Sequence, residues 1–282
     1  MAQPGQEDGG DAMSSLPPGP LVQADWLRAH IGDVLVLDGS IDRRPDGYFP
    51  GDALFAAGHI PGAQFADLFA DFSDPAAPFP FTAPSAAGLE KAARRLGISQ
   101  DSAIVVYDSL SGAWAARLWW VLRAFGHDRV RVLDGGLAAW KAAGGAVAQG
   151  PADVRAEGNF VARTRPGFFV GTAEIETAIG AVPMLCATRL EEFAAGHIPA
   201  SRSLPYASLL SADNRLDLAA AAQARATLGL APGAPVILYC GGGINAAGLA
   251  LAFAALGEDR VQIYDGSLSE WRASPDRPLE RG

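Results

Sequence analysis

The sequence predicts an α/β protein of two tandem domains, each a parallel sheet covered by helices. Three observations carry that expectation. The 282 residues are enough for two ordinary domains at roughly 100–200 residues each. Short apolar runs alternate with helical patterns, the order that generates parallel sheets. The chain also repeats itself. Gly58-His59-Ile60-Pro61-Gly62-Ala63 returns 138 residues later as Gly196-His197-Ile198-Pro199-Ala200-Ser201. At an offset of 132, Arg95-Leu96-Gly97-Ile98 returns as Thr227-Leu228-Gly229-Leu230, and Val105-Val106-Tyr107-Asp108 as Ile237-Leu238-Tyr239-Cys240. Asp134-Gly135-Gly136-Leu137-Ala138-Ala139-Trp140 returns as Asp265-Gly266-Ser267-Leu268-Ser269-Glu270-Trp271 at 131. Four collinear matches indicate a duplicated domain.

Residues 1–18 are polar and rich in Gly and Pro, without the basic-then-apolar order of a secretion signal, and read as a disordered lead-in. The first domain is expected over residues 19–142, a Gly/Ala/Pro-rich linker over 143–158 and the second domain over 159–282. Val34–Leu37, Ile104–Tyr107 and Val130–Leu133, with their counterparts Met184–Cys186, Val236–Tyr239 and Val261–Tyr264, read as strands buried on both faces. Ala113–Phe125 carries Trp114, Leu118, Val121, Leu122 and Phe125 at helical spacing, and Ala246–Leu256 is its partner in the second copy. The falling offsets place two insertions in the first copy. One holds about ten residues around Arg43 to Asp52, the other about six in the Pro/Phe-rich run Phe72 to Pro84. The latter belongs on the surface or at the domain seam.

Composition excludes several classes. With 22 Lys+Arg against 31 Asp+Glu the formal charge is −9, so nucleic-acid binding has no electrostatic footprint. No apolar run is long enough to span a bilayer. Two cysteines in so long a chain argue against a disulfide framework and for a reducing cytoplasm. Four histidines without Cys/His spacing give a metal no support, and no cofactor is implied.

The copies diverge at the end of the strand that closes on Tyr107 or Tyr239. The first continues Asp108-Ser109-Leu110-Ser111-Gly112, the second Cys240-Gly241-Gly242-Gly243-Ile244-Asn245. In a parallel sheet covered by helices, ligands sit beyond the carboxyl ends of the strands. Three consecutive glycines let successive amides turn toward one point and admit a ligand closely. That point is the Cys240 sulfur, whose thiolate a nest of amides at a helix N-terminus would stabilise. The same amides would bind a transferred anionic group. Cys186, at a strand end without such a nest, reads as core.

At these residues the chain resembles the two-domain sulfurtransferases, thiosulfate sulfurtransferase (rhodanese) and 3-mercaptopyruvate sulfurtransferase. The resemblance runs from about Leu21 to Trp271. It is most specific in the Gly-His-Ile-Pro-Gly-Ala motif, Trp119-Trp120 through Val130, Val132–Leu137 and the loop Cys240–Asn245. It implies two tandem rhodanese-like domains, the first without a catalytic cysteine, as Asp108 suggests. It also implies a Cys240 persulfide that carries sulfur from a small anionic donor, thiosulfate or 3-mercaptopyruvate, to cyanide or a thiol acceptor. Gly241, Gly242, Gly243, Ile244, Asn245 and Arg189 would bind the donor. The Gly-rich loop is closer to the mercaptopyruvate type, but that type places Ser third and Ser or Thr sixth, where this chain has Gly242 and Asn245. The family's relay histidine falls near Phe81 and one of its carboxylate-binding arginines at Glu192, leaving Arg189 and Arg202 nearby. Its strand-end Asp and Arg are replaced by Cys186 and Thr188.

Other readings compete. A rhodanese-like module that binds a partner or carries sulfur passively is the non-enzymatic alternative. Gly241-x-Gly243-x-x-Ala246 satisfies a dinucleotide fingerprint with Asp265 at about the expected distance, yet it leaves no room for the remaining strands. A cysteine phosphatase would need an arginine where Ala246 stands. His59 and His197 read as turn residues, and Trp119, Trp120, Trp140 and Trp271 as core. Arg43 and Arg44 are either solvated or positioned to close over the second domain's site across the seam.

Overall fold

The structure, a computed structural model, describes residues 16–282. The first half runs β1 (Leu21–Val22), α1 (Ala24–Ala29), β2 (Leu35–Asp38), β3 (Ile41–Arg44), β4 (Gly47–Pro50), α2 (Asp52–Ala57), β5 (Gln64–Phe65), α3 (Ala86–Arg95), β6 (Ile104–Tyr107), α4 (Ala113–Ala124), β7 (Val130–Leu133) and α5 (Gly136–Ala142). The second runs β8 (Phe169–Val170), α6 (Thr172–Ala178), β9 (Met184–Cys186), α7 (Leu190–Ala195), β10 (Arg202–Ser203), a 3₁₀ turn at Tyr206–Leu209, α8 (Leu218–Thr227), β11 (Val236–Tyr239), α9 (Ile244–Ala255), β12 (Val261–Tyr264) and α10 (Ser267–Trp271). Each half forms a five-stranded sheet, ordered β1-β7-β6-β2-β5 and β8-β12-β11-β9-β10, with every pair parallel. The duplication in sequence is thus a duplication of topology. Burial on both faces explains why the central strands carry uninterrupted apolar runs.

The halves meet through α4 and α9, the helices that follow the two divergent loops. Both are apolar around almost their whole circumference, as helices enclosed on all sides must be. One apolar core therefore crosses the seam, from Leu37 and Trp119 on one side to Leu249 and Phe253 on the other. Close approach is built into α9 by small residues. A Cβ on Gly248 would lie 2.6 Å from the Tyr206 ring. The seam is also reciprocal: Asp134, after β7, accepts from the Leu216 amide, and Asp265, after β12, accepts from the Ala83 amide.

Most of the expected lead-in, residues 1–15, lies outside the described residues. Leu16 to Pro18 are held rather than loose, with Leu16 packed on the first-half core and the Pro17 carbonyl accepting from Arg131. The connection between halves extends past residue 158, to about residue 168. It is tied down throughout, because Gly158 and Phe160 donate to Arg94 and Ile98, and Arg163 and Arg165 to Phe125 and Ala124. Of the two insertions, the first folds as the antiparallel β3–β4 hairpin, and Phe72–Pro84 lies at the seam.

Candidate active site

Cys240 directly follows β11 at the carboxyl edge of the second sheet and is buried. Gly243, with φ of +83°, turns the chain into α9, a left-handed step that only glycine takes without strain. Among the described residues the amides of Gly241 to Ala246 donate to no protein acceptor, and the first bond into the loop is Ala247 to Gly243. Unsatisfied donors at the start of a helix favour negative charge, so the environment suits a bound anion. Cys186 pairs with Tyr239 across the sheet but packs into the other core layer, away from Cys240. Burial pushes its thiol up and its sulfur contacts the Thr188 hydroxyl at 3.1 Å, consistent with a core role.

The segment after β12 pins the loop. Ser267 Oγ accepts from the Cys240 amide at 3.2 Å while donating to the Tyr264 carbonyl. Leu268 and Ser269 donate to the Cys240 and Gly241 carbonyls. Ser267 holds φ at +51°, where its counterpart in the first half is Gly136 at +55°. A side chain in this left-handed position carries strain that its two hydrogen bonds offset.

The first half contributes to the same site. Pro80 and Phe81 lie over Gly242, where a Cβ would stand 3.5 Å from the Pro80 carbonyl oxygen and 3.7 Å from the Phe81 ring. Phe81 is itself left-handed, with φ of +61°. Arg117, fully buried in α4, reaches across the seam and donates through Nη2 to the Phe81 carbonyl and to Asp265 Oδ1, the latter at 2.6 Å. Its plane lies over Phe169 at 4.9 Å, and Nη1 would be 3.0 Å from a Cβ on Gly243. Asp265 Oδ2 also accepts from the Ala83 amide at 2.7 Å. One buried ion pair thus clamps a first-half loop onto the Cys240 loop.

The divergent copy shows what such a loop holds. Asp108 Oδ1 accepts from Leu110 and Gly112 at 2.8 and 3.0 Å, and Oδ2 from Trp114 and Ala115 at 3.1 and 2.9 Å. Burial pushes this carboxyl up, while the four amides pull it down. Gly112 and Gly243 are the equivalent left-handed caps of α4 and α9, so the matching second-half donors near Cys240 include Gly243, Asn245 and Ala246.

Gly241, Gly242, Gly243, Ile244 and Asn245 therefore stand together around Cys240. Arg189 stands apart from them, exposed at the start of α7 with its guanidinium on Glu192 at 2.6 Å. Arg44 is turned into its own hairpin by Asp42. His59 and His197 are buried turn residues that stack on Phe55 and Phe193 and bond to their carbonyls. Arg117 and Ser267 escaped the sequence reading. Each left a signal: Arg117 as a cation in the middle of an apolar helix, and Ser267 where the repeat has Gly136.

The rhodanese-like domain family matches residues 23–143 and 187–274. SseB of Mycobacterium tuberculosis, named for thiosulfate sulfurtransfer, is 37% identical over 254 residues, which span 84% of this chain and 87% of that protein. The 3-mercaptopyruvate sulfurtransferase of Escherichia coli is 33% identical over 285 residues, 92% of this chain and 97% of that one. The crystal structure of Escherichia coli SseA superposes with a TM-score of 0.80 at 31% identity, covering 88% of this chain and 98% of that one.

Proposed function

This chain belongs to the rhodanese-like family as a thiosulfate/3-mercaptopyruvate sulfurtransferase, and on that premise we propose that Cys240 carries the sulfur as a persulfide. Residues 159–282 are the catalytic rhodanese-like domain in this reading, and residues 19–142 an inactive one that walls the site. The observation that carries it is the ring of unsatisfied amides at Cys240, set against the Asp108 carboxylate that fills the equivalent ring.

With thiosulfate, the Cys240 thiolate attacks the outer sulfur. The S–S bond breaks, its electron pair leaves with sulfite, and the anionic persulfide remains among the amides. With 3-mercaptopyruvate the C–S bond breaks instead. The electron pair passes to the enolate and the thiol proton completes pyruvate. Cyanide or a thiolate then attacks the outer sulfur, and the pair of the broken S–S bond returns to Cys240. No cofactor enters, and a thiolate needs no separate general base. Gly241 to Asn245 bind through their backbone, which suits transfer of a small anion and places little demand on side chains.

Mass spectrometry after thiosulfate or 3-mercaptopyruvate tests the proposal. The expected result is a gain of one sulfur, about 32 Da, mapped to Cys240, reversed by cyanide and missing in Cys240→Ser. A gain that persists in Cys240→Ser, or none with either donor, rejects it.

A further inference from the structure

An aromatic wall leads outward from the Cys240 loop. Phe81, beside Gly242, packs edge-on against Trp114 with centroids 5.1 Å apart, and Trp114 against Tyr48 at 5.3 Å. Tyr48 sits half-exposed on the β3–β4 hairpin, within electrostatic range of Arg189 across the seam. Arg43 stands directly opposite Tyr48 in the hairpin register, and opposed residues project to the same face. Buried Ile41, two residues before Arg43, marks that face as the inward one. Arg44 projects to the other face. It pairs there with Asp42 at 2.7 Å and lies 4.6 Å over Phe49.

Arg43 is exposed and has neither a hydrogen bond nor an ion pair among the described residues. No side chain from Cys240 to Asn245 is cationic, and Arg117, buried beneath the loop, is committed to Asp265. Exposed positive charge is thus separated from the sulfur by an apolar wall. Such a layout suits a thiol whose carboxylates are several bonds from its sulfur.

We infer that Arg43, together with Tyr48, forms a rim that recognises a carboxylate of a peptide-sized thiol, the acceptor that discharges Cys240. The inference rests on the persulfide reading above. The acceptor's body lies along Phe81, Trp114 and Tyr48 while its thiolate attacks the outer sulfur. The S–S bond to Cys240 breaks, the electron pair returns to the Cys240 sulfur, and the acceptor leaves as its own persulfide. Cyanide, with neither body nor carboxylate, has no use for the rim.

The test loads the enzyme with thiosulfate, removes the donor by desalting and discharges it in single turnovers with glutathione, glutathione diethyl ester or cyanide. Arg43→Ala is expected to raise the half-saturating glutathione concentration about fivefold, as an exposed charge contact allows, and to leave cyanide discharge unchanged. Arg44→Ala should match the wild type with both, and the diethyl ester should not distinguish Arg43→Ala from wild type. Equal effects of Arg43→Ala and Arg44→Ala, or an equal loss with cyanide, would overturn the rim. Failure of the wild type to load at Cys240 would instead reject the persulfide reading, and the rim with it.

Discussion

Replacing Asp265 with Asn removes the one anionic partner Arg117 has among the described residues and leaves nearly the same volume. The guanidinium is fully buried, and among the described residues its Nε and Nη1 already lack hydrogen-bond partners, so the lost charge is not replaced locally. Breaking a buried pair on one side costs about 3–5 kcal/mol, and the partial exposure of Asp265 argues for the lower end, about 3 kcal/mol. At about 2–4 °C per kcal/mol for a chain of this size, the melting temperature should fall by roughly 6–12 °C. The sharper assay is a double-mutant cycle in urea. Arg117→Met with Asp265→Asn should be more stable than Asp265→Asn alone, since it removes the uncompensated cation and places an apolar chain beside Phe169. Both single variants should slow Cys240 loading, because the clamp also holds Phe81 over Gly242. Strictly additive costs, or a melting shift below about 2 °C, would refute the view that this pair is a buried clamp.

Further changes probe the seam, the loop and the far edge of the first sheet. Gly248→Ala should cost about 1–3 kcal/mol, read from the urea midpoint, because its Cβ would meet the Tyr206 ring at 2.6 Å. Ser267→Ala leaves the Cys240 amide without its acceptor and keeps the left-handed strain, and should lose about 1–3 kcal/mol. Ser267→Gly should recover part of that stability while the maximal rate of Cys240 loading stays depressed; equal stability of the two variants would count against the strain. Burial lowers the His127 pKa, so below about pH 6.5 the unfolded chain takes up the proton first and stability falls with pH. His127→Gln should flatten the acid side of the stability profile, and an unchanged slope there would reject this assignment.

The fold was legible because duplication and apolar patterning agree. The strands Ile104–Tyr107, Val130–Leu133 and Val236–Tyr239 lie where uninterrupted apolar runs lie, since burial on both faces leaves no other composition open to them. The loop Cys240–Asn245 announced itself by its glycines. What stayed hidden depends on contacts between residues far apart in sequence. The hairpin at Ile41–Pro50 carries a turn signal in Pro45-Asp46-Gly47, but its short, half-buried strands show no apolar run, so it reads as an insertion without a shape. Arg117 and Asp265 are 148 positions apart, and nothing local to either marks the pair. The chain beyond Gly158 looked like the start of a domain, yet its backbone bonds go to the half before it.

Asymmetry between two copies of one loop bears directly on how a duplicated fold confines chemistry to one side. α4 and α9 start from equivalent glycines, so Arg117 and Gly248, each four residues past its helix start, occupy matching positions. Arg117 projects from the first half to the base of the second half's loop. Gly248 projects nothing, and the space it leaves takes Tyr206, whose hydroxyl donates to the Ser111 carbonyl in the first half's loop at 2.8 Å. That loop is filled twice, by the Asp108 carboxylate, which takes four of its amides, and by Tyr206 on its rim. The Cys240 loop has the opposite balance: free amides, a cation beneath it and a wall of Pro80 and Phe81 lent by the other half. Opening the first loop would therefore take at least two changes, at Asp108 and Tyr206. Asp108→Cys alone should leave position 108 unpersulfidated by thiosulfate, because Tyr206 still closes the rim and the position matching Arg117 is Gly248, which has no side chain to clamp it. Sulfur mapped to position 108 in that single variant would show that the carboxylate alone keeps the first half silent.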